Sequence, residues 1–385
     1  MKVIVCGDVH FGAGNGLGKL EAGMHTRLAD YQKSFDYCVD YAIHTKAAVF
    51  IQTGDLFETR NPTPEQILVA DKAIKKLSDH GITTIIIMGN HDYKKNGSSY
   101  TSSILSLPSK NLPNVRLCIE PENIVLSENE EDINIFLVSY RDKKMYDGEQ
   151  KEIVNNFNSH MRDLFEERQK TCDSIVVGHN FFFKGNYFDF AGGELLVFPE
   201  TFKEASLVVM GHLHESSILK QSSPPCYYSG SLERTNFGEE GIDKTFIEFD
   251  TSTKEIKVLK NKAVRELLTL EFKLPEGLNG KDYISFIRDE IKDINLLKKI
   301  VRVKLQVPES IGNVINKNKI EKILLEEGAF FVSKIIVEIE RHKIDRKVDL
   351  AGLSDNYKIF EAFAKTQITN SEFLEQVLTQ AKEVM

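Results

Sequence analysis

The chain has 385 residues, 41% of them hydrophobic and 28% charged, and carries a net charge of −8. That length argues for two or three domains rather than one core, and the composition excludes a collagen, a disordered chain or a coiled-coil rod. The acidic balance excludes a generally basic nucleic-acid binder, but not a nuclease whose divalent cations meet the phosphates.

In chain order, short β-branched runs at 2–6, 47–52, 83–88, 133–138, 174–177 and 207–210 read as buried strands. Helical spacing appears at 31–44, through Phe35, Val39 and Ala42, and at 65–80, through Leu68, Ala73, Ile74 and Leu77. Strand–loop–helix repetition implies a layered α/β core with functional loops at the carboxyl ends of its strands. From 226 to 259 the pattern is strands alone, at 226–228, 245–249 and 255–259, which predicts a second sheet completing a sandwich. Beyond Arg265 the order is a strand at 267–272, a helix within 282–299, a strand at 300–307, a helix near 317–327 and a strand at 330–339. That order describes a small α+β domain. The tail reads as two short amphipathic helices. The first presents Tyr357, Phe360 and Phe363; the second, opened by a capping box at 369–372, presents Phe373, Leu374, Val377 and Leu378. The expected boundaries are 1–262, 263–345 and 346–385.

The first six residues are far short of a signal-peptide core, and no stretch has transmembrane length. Five scattered cysteines without C-x-x-C spacing predict free buried thiols. A soluble cytoplasmic protein is the expectation.

The chemistry lies in five short pieces, each at or close behind a strand-like run: Gly7-Asp8-Val9-His10, Gly54-Asp55, Gly89-Asn90-His91-Asp92, Gly178-His179 and Gly211-His212-Leu213-His214. Asp8 and His10 alternate at a strand end, so both side chains are expected on one side. Asp55 could bridge two ions, Asn90 offers an amide oxygen, and His179, His212 and His214 complete a set of oxygen and imidazole donors suited to divalent transition ions. Two ions so held clamp phosphate oxygens and lower the pKa of a bound water. His91 should project away from the ions as general acid or transition-state stabiliser. Glu58 either hydrogen-bonds that imidazole or is a solvated loop carboxylate. Asp92 is read as holding the loop together.

The ordered set G-D-V-H, G-D-L-F-E, G-N-H-D, G-H and G-H-L-H resembles the calcineurin-like metallophosphoesterase superfamily. Gly54–Phe57 with Arg60–Pro64, and the stretch Gly230–Glu239, resemble its SbcD-type nucleases of DNA double-strand-break repair. The resemblance implies a two-sheet metallophosphoesterase sandwich with a capping domain and a helical tail. It implies two Mn2+ (Mg2+ possible) on Asp8, His10, Asp55, Asn90, His179, His212 and His214, with His91 catalytic. It also implies 3′–5′ exonuclease action on duplex DNA, endonuclease action on single-stranded or hairpin DNA, a homodimer, and an SbcC-like coiled-coil ABC ATPase partner. Such a nuclease would be nucleoid-associated, or lie in the host cytoplasm if viral. Glu58 departs from the usual Asp or His of that family. Lys94 and Lys95 are either DNA contacts or a solvated basic loop. Helices at 65–80 and 99–107 occupy the family's dimerising position or belong to the core. The tail docks on the ATPase partner or on the chain's own body.

Overall fold

A computed structural model describes residues 1–96, 99–128, 130–182, 195–219, 222–278, 282–340, 356–368 and 371–384. The elements that position the site are, in order, β1 (Lys2–Cys6), α1 (Thr26–His44), β2 (Val49–Gln52), α2 (Pro64–Asp79), β3 (Thr83–Ile87), β4 (Val115–Cys118), β5 (Glu122–Glu128), β6 (Glu131–Val138) and α3 (Gln150–Glu166). They continue as β7 (Asp173–His179), β8 (Leu207–Gly211), β9 (Ser217–Ile218), β10 (Cys226–Tyr228), β11 (Thr245–Asp250) and β12 (Ile256–Lys260).

Two six-stranded sheets result, ordered β12-β11-β1-β2-β3-β4 and β9-β10-β8-β7-β6-β5. The central strands of both run parallel; antiparallel strands close both edges of the second sheet and the β12 edge of the first, whose other edge, β4, is parallel. The period-2 alternation explains the near-continuous apolar runs. In β1, Val3 and Val5 face the other sheet, while Ile4 and Cys6 face helices α1 and α2. In the second sheet Ile135 and Leu137 face inward, and Phe136 and Val138 pack on α3. Strands buried on both faces have no polar side to show, so they read as unbroken hydrophobic segments.

The predicted strands at 226–259 do not form a sheet of their own. The first, β10, joins the second sheet beside β8, whereas β11 returns to pair antiparallel with β1 and β12 pairs antiparallel with β11. An apolar alternation reports that a face is buried, not which neighbour buries it. The helix expected at 99–107 is also absent: Tyr93–Asn96 and Ser99–Ser102 form a hairpin, and a 3-10 turn follows at Ser103–Ser106. Buried Asp92 decides this, because its carbonyl takes Ser103 N and its carboxylate takes Ser103 Oγ. Helix α3 was not read from the sequence; its amino-terminal residue Glu149 makes no side-chain cap, which removes the usual start signal.

The remaining elements are β13 (Leu267–Lys273), α4 (Tyr283–Ile291), β14 (Ile300–Pro308), α5 (Lys317–Glu326) and β15 (Phe331–Glu340). The strands form a three-stranded parallel sheet with its own apolar cluster, to which Ile287, Ile291, Ile320 and Leu324 of the helices contribute. Helix α4 lies within the expected 282–299 and ends at Ile291; further on, Lys298 takes left-handed backbone (φ 62°), with its N–H on Gly328 O.

Helices α6 (Asn356–Gln367) and α7 (Ser371–Val384) lie against each other, with Tyr357 Oη donating to Leu378 O at 3.3 Å. Phe363 and Phe373 are exposed, while Phe360, Leu374 and Val377 are half-buried. The expected boundary near 345, the loop residues 97–98 and the first half of the 369–372 capping box lie outside the described residues. No helix among the described residues is long and apolar enough to cross a membrane. All five cysteines are free.

Candidate metal centre

The five pieces converge at the carboxyl ends of β1, β2 and β3 in one sheet and of β7 and β8 in the other. The loops after β1 and β2 run side by side: Asp8 N donates to Gly54 O (3.2 Å) and His10 N to Asp55 O (2.9 Å). Asp8 and His10 do not reach the site by strand alternation, as expected above. Strand β1 has ended at Cys6, and Asp8 (φ 42°), His10 (φ 53°), Asp55 (φ 53°) and His212 (φ 86°) all take left-handed backbone. A non-glycine residue there carries strain on the order of 1–3 kcal/mol and persists only where its surroundings impose it. The imposing bonds are visible: His212 N donates to both carboxylate oxygens of Asp8 (3.0 and 3.1 Å), and His91 N donates to Asp55 Oδ1 (2.8 Å).

The donors gather in two groups. Asp8, His10 and His214 form one; Asp55, His179 and His212 form the other; within each group the donor atoms lie within 4.8 Å of one another. In the first, His10 Nε2 and His214 Nε2 are 2.9 Å apart. In the second, Asn90 Oδ1 is 2.8 Å from both His179 Nε2 and His212 Nδ1. Asp55 Oδ2 lies between the groups, 3.3 Å from His179 Nε2 and 3.7 Å from His10 Nε2. All seven residues singled out in the sequence therefore meet.

Divalent cations fit this donor set. His179 Nδ1 is 2.9 Å from the Thr53 carbonyl oxygen, which can only accept, so the ring proton sits on Nδ1. The Nε2 lone pair then faces the Asn90 carbonyl oxygen and the Asp55 carboxylate, acceptor against acceptor, unless positive charge lies among them. Protonation tells the same story: burial opposes the charge on His179, yet Asp55 and then Asp8 raise its pKa to about 9. Burial, with the charge on His179 adding to it, pushes His212 down to about 3. Burial also raises the Asp8 carboxyl. For Asp55 burial is outweighed by His179, and the carboxyl falls below its usual range. Cations in this pocket would supply the positive charge that these buried carboxylates favour.

Glu58 is placed differently from the expectation. Its carboxylate Oε2 lies 2.8 Å from His10 Nδ1, outside the direction of a hydrogen bond, and 3.8 Å from His91 Nδ1. The Glu58 main-chain carbonyl meets His91 Nδ1 instead, at 2.8 Å. A main-chain carbonyl can also orient a ring, and no side-chain motif signals it. The His91 side chain is 38% exposed. Its ring stands edge-on to His10 at 4.8 Å and borders a cavity of about 600 Å3 lined also by Glu58, Thr59, Arg60, Asn61 and Asn90. Lys94 and Lys95 are exposed beside this mouth, and Lys94 Nζ is bound to Asn61 Oδ1 at 2.9 Å. Asp92 is fully buried, and its carboxylate accepts from Leu56 N, Phe57 N and Gly89 N, each at 3.2 Å, clasping the two loops together.

Thr53 and Gly54 were not singled out as supports. Gly54 has φ 110°, and a Cβ there would lie 2.4 Å from His179 Nδ1. Gly54→Ala should therefore cost about 1–3 kcal/mol, the usual range for overpacking, and displace His179. A thermal melt and a metal titration check this; unchanged stability with unchanged affinity would show that the loop yields.

The fold and this donor set define a metal-dependent phosphoesterase, and the chain belongs to the calcineurin-like phosphoesterase family, which residues 1–216 match. Among its relatives is the DNA double-strand break repair protein Mre11 of Sulfolobus acidocaldarius, 24% identical over 375 residues that cover 92% of this chain and 88% of that one. The protein of the same name from Methanocaldococcus jannaschii is 24% identical over 349 residues, covering 89% of this chain and 86% of its own.

Proposed function

We propose that the chain is a manganese-dependent DNA nuclease that processes DNA breaks, with Mg2+ able to substitute. The observation that carries this reading is Asp55, whose one carboxylate reaches both donor groups. Asp8, His10, Asp55 and His214 would hold one ion; Asp55, Asn90, His179 and His212 would hold the other. When bound, such a pair polarises the scissile phosphate and supplies a nucleophilic water near neutral pH. The protein's own part is orientation and proton transfer. The carbonyl of Glu58 holds one proton of His91 on Nδ1; the imidazolium, carrying a second proton on Nε2, would give that second proton to the departing sugar oxygen and be left neutral. The Glu58 carboxylate steadies His10 by its charge, and only the main-chain carbonyl of Glu58 holds His91. Lys94 and Lys95 meet DNA phosphates at the cavity mouth.

In the same reading, 1–262 is the nuclease domain, 263–345 a DNA-facing cap, and 346–385 a tail that docks an SbcC-like ATPase through Tyr357, Phe360, Phe363, Phe373, Leu374, Val377 and Leu378. The exposure of Phe363 and Phe373 supports that use. Two copies pair through α2. Exonuclease action on duplex ends and endonuclease action on hairpins belong to the same reading, both at the cavity beside His91.

Chelated protein dialysed against manganese should take up two ions per chain. At a hundredfold excess over Kd, each ion should add about 2.7 kcal/mol of stability. The loaded protein should then cut a labelled DNA hairpin. Hydrolysis of cyclic nucleotides with the hairpin left intact would refute the nuclease reading.

A further inference from the structure

The stretch Gly230–Glu239 resembles break-repair nucleases, yet no step above uses it. It continues into a buried polar cluster behind the first donor group. Glu239 closes a short 3-10 turn, Phe237–Glu239, and sets Oε1 2.8 Å from His214 Nδ1 and 2.5 Å from Thr235 Oγ1. Its Oε2 accepts from Lys244 Nζ (2.5 Å) and Thr235 N (3.2 Å). Lys244 is 1% exposed. Its ammonium also donates to Ser231 Oγ (2.8 Å) and the His214 carbonyl (3.1 Å), so three protons meet three acceptors. A lysine buried this completely is retained only where every proton is satisfied.

We propose that Glu239, clamped by Lys244, is a positioning residue that fixes His214 as its Nδ1–H tautomer and so keeps Nε2 available to the ion shared with Asp8 and His10. The proposal rests on the two-ion reading. A carboxylate has no proton to give, so His214 Nδ1 must donate, and in the neutral ring the lone pair is then on the nitrogen 2.9 Å from His10 Nε2. Carboxylates that hold ligating imidazoles in this manner tune affinity through orientation and tautomer. Lys244 makes the arrangement one-way. It and Thr235 N both demand an acceptor at the Oε2 position. An amide at 239 would therefore turn its oxygen to Lys244 and its NH2 to His214. That inverts the tautomer and places a proton on Nε2, where it blocks ligation.

Two measurements on the full chain test this. Ring nitrogen NMR of metal-free protein should put the His214 proton on Nδ1; a proton on Nε2 overturns the proposal whatever the metal content. Manganese titration should find two ions on the unaltered protein. Glu239→Gln should weaken one of them about 10–100-fold and spare the other, with the His214 proton moved to Nε2. A folded Glu239→Gln protein that binds both ions with unaltered affinity overturns the proposal. Should that variant not fold, Glu239→Asp is the second probe: it should weaken the same ion by less, and unchanged affinity again refutes. An unaltered protein that binds no manganese but shows the Nδ1–H tautomer sinks the two-ion reading and the ligand half of this proposal together.

Discussion

Replacing His91 with serine should abolish phosphodiester cleavage while manganese uptake survives. General acid catalysis by a positioned imidazole is typically worth 10²–10⁴-fold in rate, and His91 is the histidine that borders the cavity beside the donor groups. Its Nδ1 is committed to the Glu58 carbonyl, which leaves one nitrogen for the substrate. The competing role is visible too, since His10, Asp55 and His91 also bring donor atoms within 4.8 Å of one another. Hairpin cleavage and equilibrium dialysis on the same preparation separate the two. Loss of both cleavage and one ion would make His91 a ligand.

Arg27→Met should be strongly destabilising although it lies outside the metal centre. Arg27 is wholly buried near the start of α1, with Nη1 2.8 Å from Asp30 Oδ2, Nη2 3.5 Å from Glu233 Oε1, and a short bond to the Arg234 carbonyl. Glu233, itself fully buried, also takes Ser34 Oγ (3.0 Å) and Arg265 N (2.9 Å). Arg265 in turn binds Asp30. The network ties α1 to the 230s loop and to the connection leading into β13. Removing one partner of a buried pair strands the other charge, at a cost of about 3–5 kcal/mol. A chemical denaturation series measures it, and a loss below about 1 kcal/mol would mean the pair is effectively solvated.

The deficit should also shrink in acid. Burial raises the Glu233 pKa and Arg27 opposes that rise. An acid whose folded pKa exceeds its unfolded one binds more protons when folded, so its contribution to stability falls as pH climbs. Without Arg27 the raised pKa goes higher still. The variant should thus be closer to the parent at pH 5 than at pH 8.

Much of the architecture was legible because burial leaves a local trace. Strands β1 and β10 have the predicted bounds, and β2, β3, β7 and β8 differ by a few residues at their ends. Their apolar runs are dictated by having a sheet on one face and helices on the other. Helix α2 was legible through the spacing of Ala73, Ile74 and Leu77, all buried in the structure, whereas its Thr63–Gln66 capping box emerged only there. Helix α3 was not, for want of a cap, and the hairpin before Ser103 was read as helix because its organiser, Asp92, acts from eleven residues away.

The sequence by itself determined which residues could carry the chemistry: Asp and His in short pieces behind buried strands are costly there unless something charged repays them. It did not determine how they approach. Left-handed backbone at Asp8, His10, Asp55 and His212, the Thr53 carbonyl behind His179, the Glu58 carbonyl behind His91, and Glu239 with Lys244 behind His214 were decided only by tertiary structure. So was the division of the late strands between two sheets. Each depends on a hydrogen bond or ladder between segments that are distant in the chain or on a backbone group with no side-chain signature. Periodicity and motif order register burial and residue type, whereas partner identity is settled only when the strands have chosen their neighbours.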